Sequence, residues 1–205
     1  KKDVTAIVYN GVGIHAAGGG GSIHAATGEF DVAYNAPSGQ TGDVPPPNVS
    51  VNVAHQTGDS SAPAFSNENL TKERSVSPDF QSMNGIAVSA LNTGVIKAIN
   101  FSIGGGATAA AALNAGVDIV NMTTEVHIAD NVTLNSGGDV VIAAGADMHK
   151  LGVTGAVSGA GTAAGVAGAD VTLVSMNTHV ELNADSGPVT ITSGPTGDVL
   201  INVQA

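Results

Sequence analysis

The segment VDIVNMTTEVHI, residues 117–128, returns 54 positions later as VTLVSMNTHVEL, residues 171–182. Five of the twelve positions are identical, and most others keep their character, as in Ile119/Leu173 and Ile128/Leu182. The echo continues forward, where NVTLNSGGDVVIAA (131–144) answers to PVTITSGPTGDVLINV (188–203) after small insertions. It also runs backward, because the Gly/Ala/Thr runs at 100–116 and 151–168 both lead into the repeated segment. A fainter third copy is read at 22–36, SIHAATGEFDVAYNA. Self-similarity at a fixed period of this size points to stacked repeats rather than to a single closed core.

Within each unit the hydrophobic period is two. Val132, Leu134, Val140 and Ile142 alternate with polar or small residues, as do Val189, Ile191, Val199 and Ile201. That period, with turns at Asn-Ser-Gly-Gly and Ser-Gly-Pro-Thr-Gly, predicts strands. The run ATAAAALNAG favours helix on propensity alone. Its counterpart GAVSGAGTAAGVAG carries a Gly every few residues, which argues for strand in both.

Composition narrows the choice of β architecture. The chain has 205 residues with two Tyr, four Phe and no Trp, and Phe101 is its last ring. The second half must therefore build a core from Val, Ile and Ala in thin layers. Gly, Ala and Ser weaken a strand unless a neighbouring layer comes close. The reading is an all-β, parallel β-solenoid built from ~54-residue repeats. Its coils stack about 4.8 Å apart and are right-handed by the usual chirality of parallel crossovers. On this reading one 54-residue unit makes two to three coils of roughly 20 residues each.

Three regions follow. Residues 1–36 are N-terminal β coils with a weak repeat. Residues 37–84 are a Pro-rich excursion, since 37–80 holds six of the eight prolines and only 48–55 reads as a strand. Residues 85–205 are the repeat-containing part, with units at about 98–150 and 151–205. The N-terminus does not read as a signal peptide, because Asp3 and Asn10 break its apolar run. The chain is taken as a mature product or an internal fragment.

Charge excludes several classes. Six Lys+Arg stand against 17 Asp+Glu, a formal net charge of −11, and Lys150 is the only basic residue after Phe101. Phosphate recognition needs clustered Lys and Arg, so nucleic acid is not expected as a partner. The uncharged runs 98–117 and 151–169 have the length of a membrane span, but Ala, Gly, Ser and Asn give them little helix-insertion energy. No membrane insertion is expected. With no Cys, disulfides, thiolate metal sites and a Cys nucleophile are excluded.

No catalytic, cofactor or metal residue is assigned. The histidines at 15, 24, 55, 127, 149 and 179 lack a usable local ligand spacing. His127 and His179 stand 52 apart rather than 54, which sets Glu125 opposite His179 and His127 opposite Glu181 if the units adjoin. The expectation there is cross-strand complementarity. Turn residues Asp130, Asp139, Asp185 and Asp198 offer at most weak surface calcium binding, since no EF-hand or nonapeptide loop is present. Asp118 and Asp170 could suggest a carboxylate pair, but repetition explains them equally well. No nucleophile elbow or Walker loop is found.

The stretch from GIAVSALN (85–92) through INFSIGGGATAAAALNAGVDIVNMTTEVHI to NVTLNSGGDVVIAAG (131–145) resembles repeats of very large bacterial filamentous adhesins. These are the filamentous-haemagglutinin-like and leukotoxin-type exoproteins of type V secretion. Ser102–Gly106, Thr123–Ile128 and Gly138–Ala144 occupy the motif places. The resemblance covers about residues 85–205, and Glu125-Val126-His127-Ile128 departs from the family's A-Y-I position. It implies an extracellular or cell-surface, non-catalytic stalk, with host-cell or matrix glycan or protein as partner and partner-binding residues unknown. Alternatives are a subunit that self-assembles through coil edges, and a polysaccharide-active β-helix enzyme.

Overall fold

The computed structural model describes residues 1–35 and 73–205. Every regular element among them is a strand: β1 (Lys2–Val8), β2 (Gly13–Ala16), β3 (Ile23–Asn35), β4 (Glu73–Met83), β5 (Gly85–Gly106), β6 (Ala109–Ile128), β7 (Thr133–Ser136), β8 (Asp139–Ala160), β9 (Ala163–Leu182), β10 (Thr190–Thr192) and β11 (Val199–Gln204). Three sheets have the orders β1-β6-β9, β2-β7-β10 and β5-β8-β11, and every pairing in them is parallel. The chain thus visits the same three sheets in the same order three times. Parallel neighbours need a long crossover, and from β5 to β8, β6 to β9, β7 to β10 and β8 to β11 it is made of the two other strands of the circuit.

The register corrects the expected coil size. Ala109 pairs with Ala163 and Gly85 with Asp139, in each case the residue 54 positions on. One sequence unit therefore makes one complete circuit, not two or three coils. The circuit is long because β5, β6, β8 and β9 run 20 to 22 residues each.

The core lies between the three sheets and centres on the middle circuit. Val126, Ile128, Val132, Leu134, Val140 and Ile142 are fully buried there. Val8 and Ile86 cover them on one side, and Val180, Val189 and Ile191 on the other. Like stacks on like: Ile142 pairs with Val88 below and Ile201 above. No ring belongs to this cluster. Each buried aliphatic removes enough apolar surface to contribute roughly 1.5–3 kcal/mol. The buried polar Asn92 ties two circuits together, its Nδ2 donating to the carbonyls of Lys2 and Thr123 at 3.3 Å.

Glycines make the corner between the second and third sheets. A Cβ on Gly137 would stand 2.2 Å from the Ala17 carbonyl oxygen, and one on Gly194 would stand 2.0 Å from that of Gly137. Successive circuits stack backbone on backbone at this corner, so only a residue without a side chain fits.

The chain divides into two compact units, residues 1–29 with 78–205 and residues 30–77. In the first, the start of β3 and the end of β4 lie over the outer face of β8, where Ala25 and Met83 bury Val141 and Ala143. Thr27 Oγ1 donates to Asp79 Oδ2 at 2.9 Å, and Asn202 Nδ2 donates to the Thr27 carbonyl at 2.7 Å. In the second, β3 and β4 continue, with Ser75 Oγ donating to the Ala33 carbonyl at 3.4 Å. Strand β4 occupies a stretch read from sequence as lacking strand period. The strand expected at 48–55 lies outside the described residues.

Beyond the core, β5 and β6 continue as an arch closed by Ala107–Thr108, and β8 and β9 repeat it at Gly161–Thr162. The tips stack, Gly161 N donating to the Ala107 carbonyl at 3.2 Å. The layers approach so closely that a Cβ on Gly104 would lie 2.4 Å from the Ala111 carbonyl oxygen. As expected from the small residues, Ala98, Ser102, Ala110 and Ala112 face inward. The large apolar residues between them face out, with Ile99 80% and Ile103 78% exposed.

Candidate functional site

Stacking brings together four titratable side chains that are scattered in the sequence. Adjacent circuits pair Glu125 with His179 and His127 with Glu181. Odd-numbered positions of β6 point away from the core, so the four share one outer face. His127 Nδ1 lies 3.1 Å from Glu181 Oε2 and 3.8 Å from Glu125 Oε1, while His179 Nε2 lies 3.7 Å from Glu125 Oε1. The result is a crossed ladder in which each imidazole meets a carboxylate of the neighbouring circuit. Like groups directly opposite would repel; the 52-residue offset of the histidines avoids that.

Glu125, His127 and Glu181 each offer one ligand atom, all within 4.8 Å of one another. Imidazole with carboxylate suits a borderline divalent ion such as zinc. Ligand spacings within one strand do not reveal this set, because the circuit supplies the third donor from 54 residues away.

A second cluster sits inside the arch. Lys150 Nζ lies 2.6 Å from Asp118 Oδ2 and 2.9 Å from Asp170 Oδ2, and it also donates to Thr172 Oγ1. Its side chain is only 13% exposed. Hydrogen bonds that the amine donates to Asp118 first, and then to Asp170, hold it above the ordinary lysine value, against a smaller opposing effect of burial. The only Lys or Arg after Phe101 thus bridges the two carboxylates that repetition places side by side. A hydrolytic carboxylate pair needs one free acid and one free base; here both groups serve as counter-ions.

The turn aspartates have structural partners. Asp130 Oδ1 accepts from Ser186 N at 3.0 Å and Asp139 Oδ1 from Asp198 N at 3.1 Å, so each pins the turn of the next circuit. Asp185 N donates to Asn183 Oδ1 at 3.3 Å within its own turn. His15 lies in β2 opposite Asn135, His24 is the second residue of β3, and His149 lies in β8 opposite Val95. His55 lies outside the described residues.

No helix among the described residues is long and apolar enough to cross a membrane. Comparison with protein-family models, with curated proteins and with solved structures gave no match.

Proposed function

We propose that this chain is a parallel β-solenoid segment of a secreted bacterial surface protein of the filamentous-adhesin kind. Its work is to extend and to present, without catalysis, outside the cell or on its surface. The observation that carries this reading is the in-register stack. Three circuits repeat the same three-sheet path, and unlike a closed core the stack has ends at which it can continue. Strands β1, β2 and β5 at one end, and β9, β10 and β11 at the other, each leave an edge unpaired among the described residues. The resemblance of residues 85–205 to filamentous-adhesin repeats supports the same view. So does the use of Asp118 and Asp170 as counter-ions to Lys150. A glycan or protein of a host cell or matrix is the partner class that suits a presenting stalk.

The open edges also favour a second reading, a subunit whose copies add end to end. An unpaired edge is a template for another strand, and the net charge of −11 opposes such addition. Light scattering after size-exclusion chromatography, with electron microscopy over a concentration series, separates the two. A rod-like monomer at all concentrations supports the stalk. Filaments that lengthen with concentration make assembly the function, and compact globular particles would sink both readings.

A further inference from the structure

The crossed ladder leaves one imidazole facing two carboxylates. Glu125 and His127 alternate along β6 and so share a face, and Glu181 is the register partner of His127 in the last circuit. A ring nitrogen carries at most one hydrogen to donate. His127 Nδ1 meets Glu181 Oε2 at 3.1 Å, which is a hydrogen bond, and Glu125 Oε1 at 3.8 Å, which is beyond one. His179 Nε2, at 3.7 Å from the same Glu125 oxygen, is also too far to bond it. On the other side, the register partners of Glu125 and His127 are Thr5 and Ile7 of β1, which bring no cation. Glu181 lies on the last strand of its sheet. The ladder thus holds two carboxylates around one ring nitrogen and satisfies one of them.

We infer that Glu125, His127 and Glu181 bind one divalent ion of the zinc class, as a staple between the middle and last circuits. Each residue offers one donor atom, and the three atoms lie within 4.8 Å of one another. Zinc bonds of about 2.0–2.2 Å, arranged as a tetrahedron, set ligand atoms roughly 3.3–3.6 Å apart. The distances from His127 Nδ1, 3.1 and 3.8 Å, bracket that spacing. All three side chains are part-exposed, so small rotations complete the geometry, and water takes the fourth position. Charge agrees with this assignment. Two carboxylates balance the two charges of the ion, and the imidazole adds a neutral donor.

The donor set also discriminates between ions. Calcium and magnesium are held by six or more oxygens. Here one of the three donors is nitrogen, and the backbones of β6 and β9 are committed to their parallel ladder. The place of the ion in the fold gives it a role. Val180, beside Glu181, is one of the residues with which the last circuit covers the core. An ion held by both circuits binds only while they are stacked, so it stabilises the stack by mass action. This goes beyond the stalk reading and rests on the register alone.

The test titrates zinc chloride by calorimetry into the full chain, freed of metal with a chelator, and uses cobalt(II) as a spectroscopic probe. The expected result is one ion per chain, the intense visible absorption of four-coordinate cobalt, and a urea midpoint that rises with zinc. His127→Gln and Glu181→Gln should each bind zinc at least tenfold more weakly and lose that rise, while circular dichroism shows both folded without metal. His15→Gln, which changes an exposed histidine of β2, should bind like the native chain. Absence of binding at millimolar zinc overturns the inference. So does native affinity in both His127→Gln and Glu181→Gln, which would put the ion on other residues. One ion per two chains, with dimers by light scattering, overturns it as well, because the ion would then join copies rather than circuits. A rod-like monomer without zinc upholds the stalk reading whatever the titration shows, so the two failures are distinguishable.

Discussion

Truncating Ile142 to alanine is expected to cost about 3–4 kcal/mol, within the range of 2–5 kcal/mol for buried isoleucines. Ile142 is fully buried in the middle circuit, between Val88 below and Ile201 above, and the rigid backbone stack around it has little room to collapse into the cavity. Ile201 occupies the same column in the last circuit but is 48% exposed. About half of its side chain is already in water, so Ile201→Ala is expected to cost roughly half as much, about 1.5–2 kcal/mol. Urea unfolding followed by circular dichroism measures both, provided the slope with denaturant is unchanged. The prediction lies in the ratio as much as in the size. Equal costs at the two positions, or a cost below about 1 kcal/mol at Ile142, would refute the idea that the middle circuit is the core and the outer two its covers.

Three further outcomes follow from the same structure. The Lys150 amine is held above its ordinary value, so its contribution to stability is present below that value and is lost as pH rises through the raised one. The urea midpoint of the native chain should therefore fall in strongly alkaline solution more than that of Lys150→Arg, whose guanidinium stays charged throughout. The His127–Glu181 pair is part-exposed, and a double-mutant cycle with His127→Gln and Glu181→Gln should give a coupling of about 0.2–1 kcal/mol that shrinks in salt. Gly137→Ala pushes a Cβ against the Ala17 carbonyl and should cost about 1–3 kcal/mol, whereas Gly105→Ala meets no atom within 4 Å and should stay within about 0.5 kcal/mol of the native chain.

Much of this arrangement was legible in the sequence because two periods coincide there. Period two marks Val132, Leu134, Val140 and Ile142 as one face, and the 54-residue echo says which residues become neighbours. Together they place Glu125 against His179 and His127 against Glu181, the pairs that the register contains. Two things stayed hidden. Gly and Ala runs read like short strands between turns, so nothing in NFSIGGGATAAAALNAG told that two strands of 20 or more residues meet at Ala107–Thr108. Alternation also separates two faces without saying which one meets water. Strand β4 was missed for a different reason. ERSVSPDFQSM has Pro78 in its middle and no clean alternation, and it is a strand because β3 offers it an edge.

The most direct test of the stack is a disulfide across it. The chain has no cysteine, so a pair can be introduced without competition. Asn121 and Ser175 are register partners on the outer face of β6 and β9. Parallel partners stand about 4.8 Å apart, within the reach of a disulfide. Asn121→Cys with Ser175→Cys should oxidise within one chain, losing two hydrogens by mass spectrometry and shifting on a non-reducing gel. Asn121→Cys with Asn177→Cys, two residues out of register, should remain reduced under the same conditions. A fast bond in the second pair and none in the first, or bonds only between chains, would contradict the three-circuit register on which the whole account rests.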